Sequence, residues 1–359
     1  MPKPTRDDIM AVLRTVNDPE LHRDLVSLKM IKNVAIDDGR VNVHVELTTP
    51  ACPMKDQITR DVTRAIQSLD GVREVHVEFS GQVRADNRPR NILPDVKNIF
   101  AVGAGKGGVG KSTVAALLAV GLHRAGATVG LMDADVYGPS IPTMMGVAGA
   151  KPAVDGDHIL PVDARGIKLM SIGFMIDPDK PLIWRGPMVH GVVKQFLEQV
   201  NWGPLDYLVV DLPPGTGDVP LTLAQSLPMT GAVIVCTPQD VALLDARRAL
   251  MMYRQLNVPC LGIVENMSFY ICPHCGHRDE IFDHGGAKRS AEELGVPFLG
   301  AIPLNTDVRI LIGEGTPEKL FSSAGDAILQ AIQNVATATA GQISIRNLQP
   351  SAQPTLSIE

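Results

Sequence analysis

The sequence predicts a doubly wound α/β domain with a mostly parallel sheet, preceded by a small α+β domain. Three observations predict it. Continuous apolar runs alternate with helical patterns from Lys97 onward, the signature of strands buried on both faces. The first of these runs leads directly into a glycine-rich loop that opens a helix, the strand–loop–helix order of a phosphate-binding loop. Residues 1–82 behave differently, because apolar and polar residues alternate there at period two, as in a sheet with one wet face.

Within residues 1–82 the order reads α-β-β-α-β. Thr5 and Asp8 form a capping pair ahead of Ile9, Val12, Leu13 and Val16 at helical spacing. Asp38-Gly39 is a hairpin signal. Beyond it Val41, Val43, Val45 and Leu47 alternate with Asn42, His44 and Glu46, a half-buried strand. Met54, Ile58, Val62, Ile66 and Leu69 return to helical spacing, and Gly71 ends that helix. Val75, Val77 and Phe79 alternate as a third strand.

Residues 83–96 carry Arg84, Arg88, Arg90, Pro89 and Pro94 among Asn and Asp, a linker composition. The second domain is expected over residues 97–336. Its strands are Ile99–Val102, Val129–Met132, Leu208–Val210, Ala232–Cys236, Leu261–Val264 and Phe298–Ile302. Asp240 is expected to cap a helix on which Leu243, Ala246, Leu250 and Tyr253 share a face. Residues 337–359 are poor in large apolar side chains and lack periodicity, which predicts a largely disordered tail.

A net charge of −6 argues against a nucleic-acid or anionic-membrane partner. No apolar run approaches the roughly 20 residues that span a bilayer, and the first residues lack a signal-peptide core, so a cytoplasmic protein is expected. The five cysteines are too few and too scattered for a disulfide framework. Cys236 and Cys260 sit inside apolar runs and read as small core hydrophobes.

Gly105-Lys106-Gly107-Gly108-Val109-Gly110-Lys111-Ser112 is the phosphate loop, followed by the helix from Thr113 to His123. Glycines let backbone N–H groups turn onto the phosphates, and the helix N-terminus adds partial positive charge. Lys111 would reach the β- and γ-phosphates of ATP, and Ser112 would offer its hydroxyl to Mg²⁺. Leu208-Val209-Val210-Asp211 is an apolar strand ending in an acid, placing Asp211 in the Mg²⁺ shell. Pro213-Pro214-Gly215-Thr216-Gly217-Asp218 is a candidate switch loop. Met132-Asp133-Ala134-Asp135 ends another strand, and either acid could instead cap a helix or sit solvated in a loop. Asn266 ends a late strand, where it could cap the element that follows.

Cys272-Pro273-His274-Cys275 spaces two thiols to grip one soft metal centre. Three readings stand. A zinc site would need His274, His277 or His284 to complete it. A redox pair should open a helix in a small βαβ fold. Two copies of the pair facing across a two-fold axis would supply the four thiolates that hold a [4Fe–4S] cluster.

Lys106 beside Gly105 resembles the deviant Walker A motif of the MinD, ParA and nitrogenase-iron-protein group. The resemblance implies an ATP-sandwich homodimer in which Lys106 reaches the partner's nucleotide, an acid such as Asp135 (Asp133 as fallback) that orients the attacking water, and an adenine-reading Asn266. Asp133-Ala134-Asp135-Val136-Tyr137-Gly138-Pro139-Ser140, Val210 to Asp218, Glu265-Asn266-Met267-Ser268 and Cys272 to Cys275 together resemble the Mrp/ApbC family of iron–sulfur cluster carrier ATPases. That family implies slow ATP hydrolysis, a labile iron–sulfur cluster on Cys272 and Cys275 at a homodimer interface, and transfer between cluster-assembly scaffolds and apo-proteins. A MinD/ParA-like spatial regulator without a cluster is the alternative. Asp18-Pro19-Glu20-Leu21, Leu25-Val26-Ser27-Leu28 and Thr48-Thr49-Pro50-Ala51-Cys52-Pro53 resemble the small domain of SufT-type assembly factors. Cys52 precedes a helix whose dipole can lower its pKa, and two readings stand evenly: a reactive thiol or cluster ligand, and a buried structural thiol.

Overall fold

Each element of the N-terminal unit forms where its apolar residues fall. The structure, a computed structural model, describes residues 4–52, 54–86, 92–175, 186–272, 275–320 and 325–348. It divides into two units, Met1–Arg84 and Ala85–Glu359. In the first, helix α1 (Arg6–Leu13) opens on a reciprocal capping box: Thr5 donates from its backbone to the Asp8 carboxylate at 2.9 Å, and the Asp8 backbone donates to Thr5 Oγ1 at 3.3 Å. Strands β1 (Ile31–Asp37) and β2 (Arg40–Leu47) form an antiparallel hairpin. Asp38 and Gly39 both take positive φ (39° and 84°), as a two-residue turn of this hand requires. Helix α2 (Lys55–Gln67) then returns the chain so that β3 (Glu74–Gly81) runs parallel to β2. The alternation read in β2 is realised, with Val41, Val43, Val45 and Leu47 buried against Ile9, Leu13, Ile58, Val62 and Ile66.

Glu20 lies half-buried in this unit, and desolvation together with the neighbouring Asp18 charge pushes its pKa up to about 7. The folded state therefore holds a proton that the unfolded chain has released, and stability drains away as pH rises from about 4.5 towards 7. Glu20→Gln is expected to raise hydrogen-exchange protection of the β1–β3 amides at pH 8 and to change it little at pH 5. Equal effects at both pH values would contradict this.

The second unit is built on a nine-stranded sheet. Its strands are β4 (Val96–Gly103), β5 (Val129–Asp133), β8 (Val162–Ala164), β9 (Ile167–Ser171), β10 (Leu205–Asp211), β11 (Gly231–Cys236), β12 (Cys260–Ile271), β13 (Arg278–Asp279) and β14 (Phe298–Leu304). β6 (Val154–Asp155) and β7 (His158–Ile159) form a separate small ribbon. The order is β13-β12-β11-β4-β10-β5-β9-β8, with β14 also pairing to β12. All core pairings are parallel, and only β8 and β13 run antiparallel. Helices α3 (Lys111–Arg124), α4 (Ile141–Met144), α5 (Gly186–Glu198), α6 (Asp218–Ser226), α7 (Asp240–Gln255), α8 (Gly286–Leu294), α9 (Thr306–Gly313) and α10 (Asp326–Leu348) make the connections and flanks. This is the expected doubly wound sheet.

Two expectations are corrected. Asp240 is the first residue of α7, and Gln239 holds the capping position. Residues 337–348 are not disordered: they complete α10, which packs on β14 and α3. The sequence misled here because Ala, Thr, Ser and Gly surround this helix instead of a stripe of large residues. Small residues allow close approach instead. A Cβ on Gly121 of α3 would fall 2.8 Å from the Ala336 methyl group, and Asn347 donates to Asn98 Oδ1 of β4 at 2.8 Å. The remaining tail residues 349–359 and linker residues 87–91 lie outside the described residues. Among the described residues, no helix is long and apolar enough to cross a membrane.

Candidate functional site

The phosphate loop joins β4 to α3, and α3 starts at Lys111 behind a left-handed Gly110 (φ 79°). A side chain at 110 is excluded on two counts, the backbone conformation and the Asn266 amide, which would lie 2.2 Å from a Cβ there. Asn266 Nδ2 donates to the Val109 carbonyl at 2.8 Å. Its side-chain N–H thus braces the loop from behind, a use that neither capping nor base reading anticipated.

Beside the loop, β5 and β10 run in register so that Asp133 and Asp211 end side by side. Lys111 Nζ sits among the acids, 2.5 Å from Asp211 Oδ1, 3.4 Å from Asp135 Oδ2 and 3.1 Å from Ser112 Oγ. Asp133 faces elsewhere: it accepts from Ser171 Oγ at 2.9 Å and from the backbones of Asp135 and Ile141 at 3.1 and 3.3 Å. Burial, then the Asp211 charge, push Asp133 up to about 7 despite these donors. Burial also drives Asp211 upward, and the Lys111 cation pulls against it. The other oxygen of Asp211, Oδ2, is buried and has no hydrogen-bond partner among the described residues. A buried, unpaired carboxylate oxygen beside a loop-end hydroxyl suits a hard divalent cation. Ser112 and Asp211 are therefore the residues that could hold Mg²⁺.

Gly215 of the switch-loop segment donates to the Ala104 carbonyl at 2.8 Å, tying the segment to the start of the phosphate loop. Lys106 is half-buried and makes no hydrogen bond or ion pair among the described residues. A cavity of about 660 Å³ opens beside Thr113, walled by Asn266, Met267, Tyr270, Pro303 and Leu304. Its size and largely apolar walls suit a planar base. The sequence reading offered Asn266 to the nucleotide and set Thr113 at the helix start behind the phosphate loop, but it gave Met267 (named only within a motif), Tyr270 and the Pro303–Thr306 segment no place in the site. The signal lay in the topology, since ligands of open α/β sheets gather at the carboxyl ends of the strands, and Pro303–Thr306 spans the carboxyl end of β14.

Cys272 and Cys275 lie at the turn joining β12 to β13, at one edge of the sheet. Cys275 is exposed, Cys272 is half-buried, and neither is in a disulfide. The turn is closed by the Cys272 N–H donating to the His277 carbonyl and the Gly276 N–H to the Cys272 carbonyl, both at 2.9 Å. A hairpin turn is not the helix start that a redox pair uses. Pro273 and His274 lie outside the described residues. Among the described residues, no group of three or more His, Cys, Asp or Glu could hold a metal ion. His284 is not grouped with the two thiols among the described residues; its Nδ1 lies 2.6 Å from Ser268 Oγ and 3.3 Å from Glu265 Oε1.

The remaining cysteines are not activated. Burial pushes Cys236 up to about 12 and Cys260 up to about 11. Cys52 is also raised, to about 11, by burial and by Glu20 and Asp18; the Met54 N–H opposes this and loses. The expected lowering by the α2 dipole is thus overturned, and Cys52 is a protonated, partly buried thiol at neutral pH.

Comparison with known proteins agrees with this geometry. Residues 95–340 match the family model described as NUBPL iron-transfer P-loop NTPase, and residues 6–79 match that of an iron–sulfur cluster assembly protein. A Synechocystis protein named iron-sulfur cluster carrier protein is 50% identical over 96% of this chain and 99% of its own. One from Deinococcus radiodurans with the same name is 49% identical over 98% and 99%. Among solved structures, a nucleotide-binding protein from Archaeoglobus fulgidus in complex with ADP is 43% identical, covers 63% of this chain and 90% of its own, and superposes with a TM-score of 0.58. The cell-division ATPase MinD of Pyrococcus furiosus shares the fold at 20% identity, a TM-score of 0.51, and 67% and 97% coverage. A phosphate loop braced by Asn266, acids converging on Lys111 and a two-thiol hairpin on the same sheet accompany these matches over nearly the whole chain: the chain belongs to the iron–sulfur cluster carrier family of P-loop NTPases.

Proposed function

We propose that this chain carries an iron–sulfur cluster as cargo on Cys272 and Cys275, bridged between the two subunits of a homodimer, and passes it from assembly scaffolds to apo-proteins under control of Mg²⁺ and ATP. The observation that carries the reading is the donor count. One hairpin offers two thiols, and no third ligand adjoins them among the described residues, whereas a [4Fe–4S] cluster takes four thiolates. A two-fold axis supplies the second pair. An exposed Cys275 leaves such a cargo within reach of an acceptor's thiols, as transfer requires.

In the ATPase site, backbone N–H groups of Gly107 to Ser112 would hold the phosphates, and Lys111 would move from its acid partners onto the β- and γ-oxygens. Ser112 and Asp211 would hold Mg²⁺, which screens the phosphate charge when bound. Asp135 is the acid best placed to orient the attacking water, since Asp133 is held by Ser171 and Ile141. Lys106 would complete the partner's site. Turnover is expected to be slow, roughly 10⁻² s⁻¹ or less without a stimulating partner. A cytoplasmic site of action goes with this reading, because thiols stay reduced there. The spatial-regulator alternative, in its membrane-targeting form, would need residues 343–348 as a basic amphipathic surface helix. Ile343, Ser344 and Asn347 are buried in α10, which weighs against it.

The test is transfer. Protein loaded anaerobically is mixed with an apo-ferredoxin, with and without Mg-ATP, and acceptor activation is followed by absorbance. Activation that survives in a Cys272→Ala/Cys275→Ala variant would overturn the reading.

A further inference from the structure

The nucleotide cavity and the cysteine hairpin share a wall, and it is not a regular strand. β12 enters the sheet normally, then breaks register against β14 between Asn266 and Tyr270. Met267, inside the break, takes φ 56°, a left-handed conformation that an unbranched but bulky side chain adopts only where its surroundings impose it. The residue before it, Asn266, holds the phosphate-loop carbonyl of Val109. Met267 itself and Tyr270 line the 660 Å³ cavity. Directly after, Tyr270 and Ile271 pair with Asp279 and Arg278 to form the stem of the cysteine hairpin. Six residues thus run from a phosphate-loop contact to Cys272.

Phe269, within the same stretch, is clamped. The ring of His284 meets it edge-on at 5.5 Å between centroids, and the Arg278 guanidinium of the opposite hairpin strand lies 4.0 Å from its centroid. His284 is fixed in turn. The fully buried Ser268 hydroxyl donates to Glu265 and accepts from His284 Nδ1. Glu265, buried at the end of the parallel core, also accepts from the Gly285 and Ala287 backbones at 3.0 and 2.8 Å, at the start of α8. The stem therefore rests on a pin anchored in the sheet and in α8, not on its own two short rungs alone.

We propose that the bulged segment Asn266–Tyr270 is the link through which nucleotide in the cavity sets the position of the cysteine hairpin, with Phe269 and His284 as its positioning residues. This rests on the nucleotide half of the reading above and deepens it. A base against Met267 and Tyr270 presses on a bulge that has two ends: one on the phosphate loop, one on the hairpin stem. By reciprocity, whatever nucleotide does to the hairpin, an occupant of the hairpin does to nucleotide affinity by the same factor.

The experiment uses the full-length apo-protein, so that it stands apart from cluster binding. Alkylation of Cys275 by iodoacetamide is timed by peptide mass spectrometry, with and without saturating Mg-ADP, in wild type, Phe269→Leu and His284→Ala. Nucleotide affinity is measured alongside with a fluorescent ADP analogue. Saturating nucleotide is expected to change the wild-type Cys275 rate at least about fivefold, the lower end of ordinary coupling between sites. Phe269→Leu and His284→Ala are expected to bind the analogue within about twofold of wild type yet to lose most of that response, because neither side chain lines the cavity. A wild-type rate indifferent to nucleotide would overturn the link, and so would a full response retained in both variants. A response that obeys these expectations in a protein that never holds a cluster would sink the cargo reading and leave the link standing.

Discussion

Lys111→Ala is expected to abolish nucleotide binding and, in the same stroke, to lower the melting temperature of the nucleotide-free protein. The first effect follows from the loss of the phosphate-binding cation. The second follows from what Lys111 touches. Its ammonium is 2.5 Å from Asp211 and 3.4 Å from Asp135, with Asp211 fully buried. Removing one member of a buried ion pair costs about 3–5 kcal/mol, because the other is left charged and dry. For a unit of this size that is a fall on the order of 10 °C. The sign with pH is fixed by Asp211 and by Asp133 beside it. Burial raises the pKa of Asp211 and, with the Asp211 charge, pushes Asp133 up to about 7, so protonation relieves the unpaired charge, and the deficit should shrink from pH 8 to pH 6. Differential scanning calorimetry at both pH values checks it. An unchanged melting temperature at pH 8 would contradict the placement of Lys111 as counter-charge. From sequence alone this variant is expected to keep its fold intact; the convergence of Asp211 and Asp135 on its ammonium adds the expectation that this fold is less stable.

Lys106→Ala should behave in the opposite way. Lys106 has no partner among the described residues to lose, so stability and ATP affinity should hold within about threefold, while hydrolysis falls by roughly 10²–10³, the usual loss for one preorganised transition-state donor. Mixed dimers of Lys106→Ala with an Asp135→Ala chain offer the sharper check. One of their two sites then has an intact Asp135 and receives Lys106 in trans, so activity should partly return on mixing. Equal losses of binding and hydrolysis, with no recovery on mixing, would place Lys106 in its own site instead.

What was legible beforehand divides along physical lines. The parallel strands were plain because strands buried on both faces must be apolar throughout, and Ile99–Val102 or Ala232–Cys236 can hardly be read otherwise. The phosphate loop was plain because only glycine permits its backbone. α10 was not, since packing by small residues leaves no periodic stripe: Ala336 against Gly121 looks like low complexity in sequence. Charge placement was half legible. Asp211 and Asp135 could be named as acids at strand ends, but that Asp133 turns to Ser171 depends on α4 and β9 folding back to meet it. Cys52 misled because sequence gives the helix that follows but not the desolvation that outweighs it. The role of Asn266 was hidden for a similar reason: the carbonyl it holds is on Val109, 157 positions away in the chain.

The claim at the centre of this account is that one cluster is shared by two chains. Anaerobic reconstitution with iron and sulfide tests it most directly, with both counted per dimer after gel filtration, in wild type and in Cys272→Ala/Cys275→Ala. The account predicts about four of each per wild-type dimer, the content of one [4Fe–4S] cluster on four thiolates, and close to none in the variant. A cluster that survives without Cys272 and Cys275, or a full complement on a wild-type monomer, would contradict it.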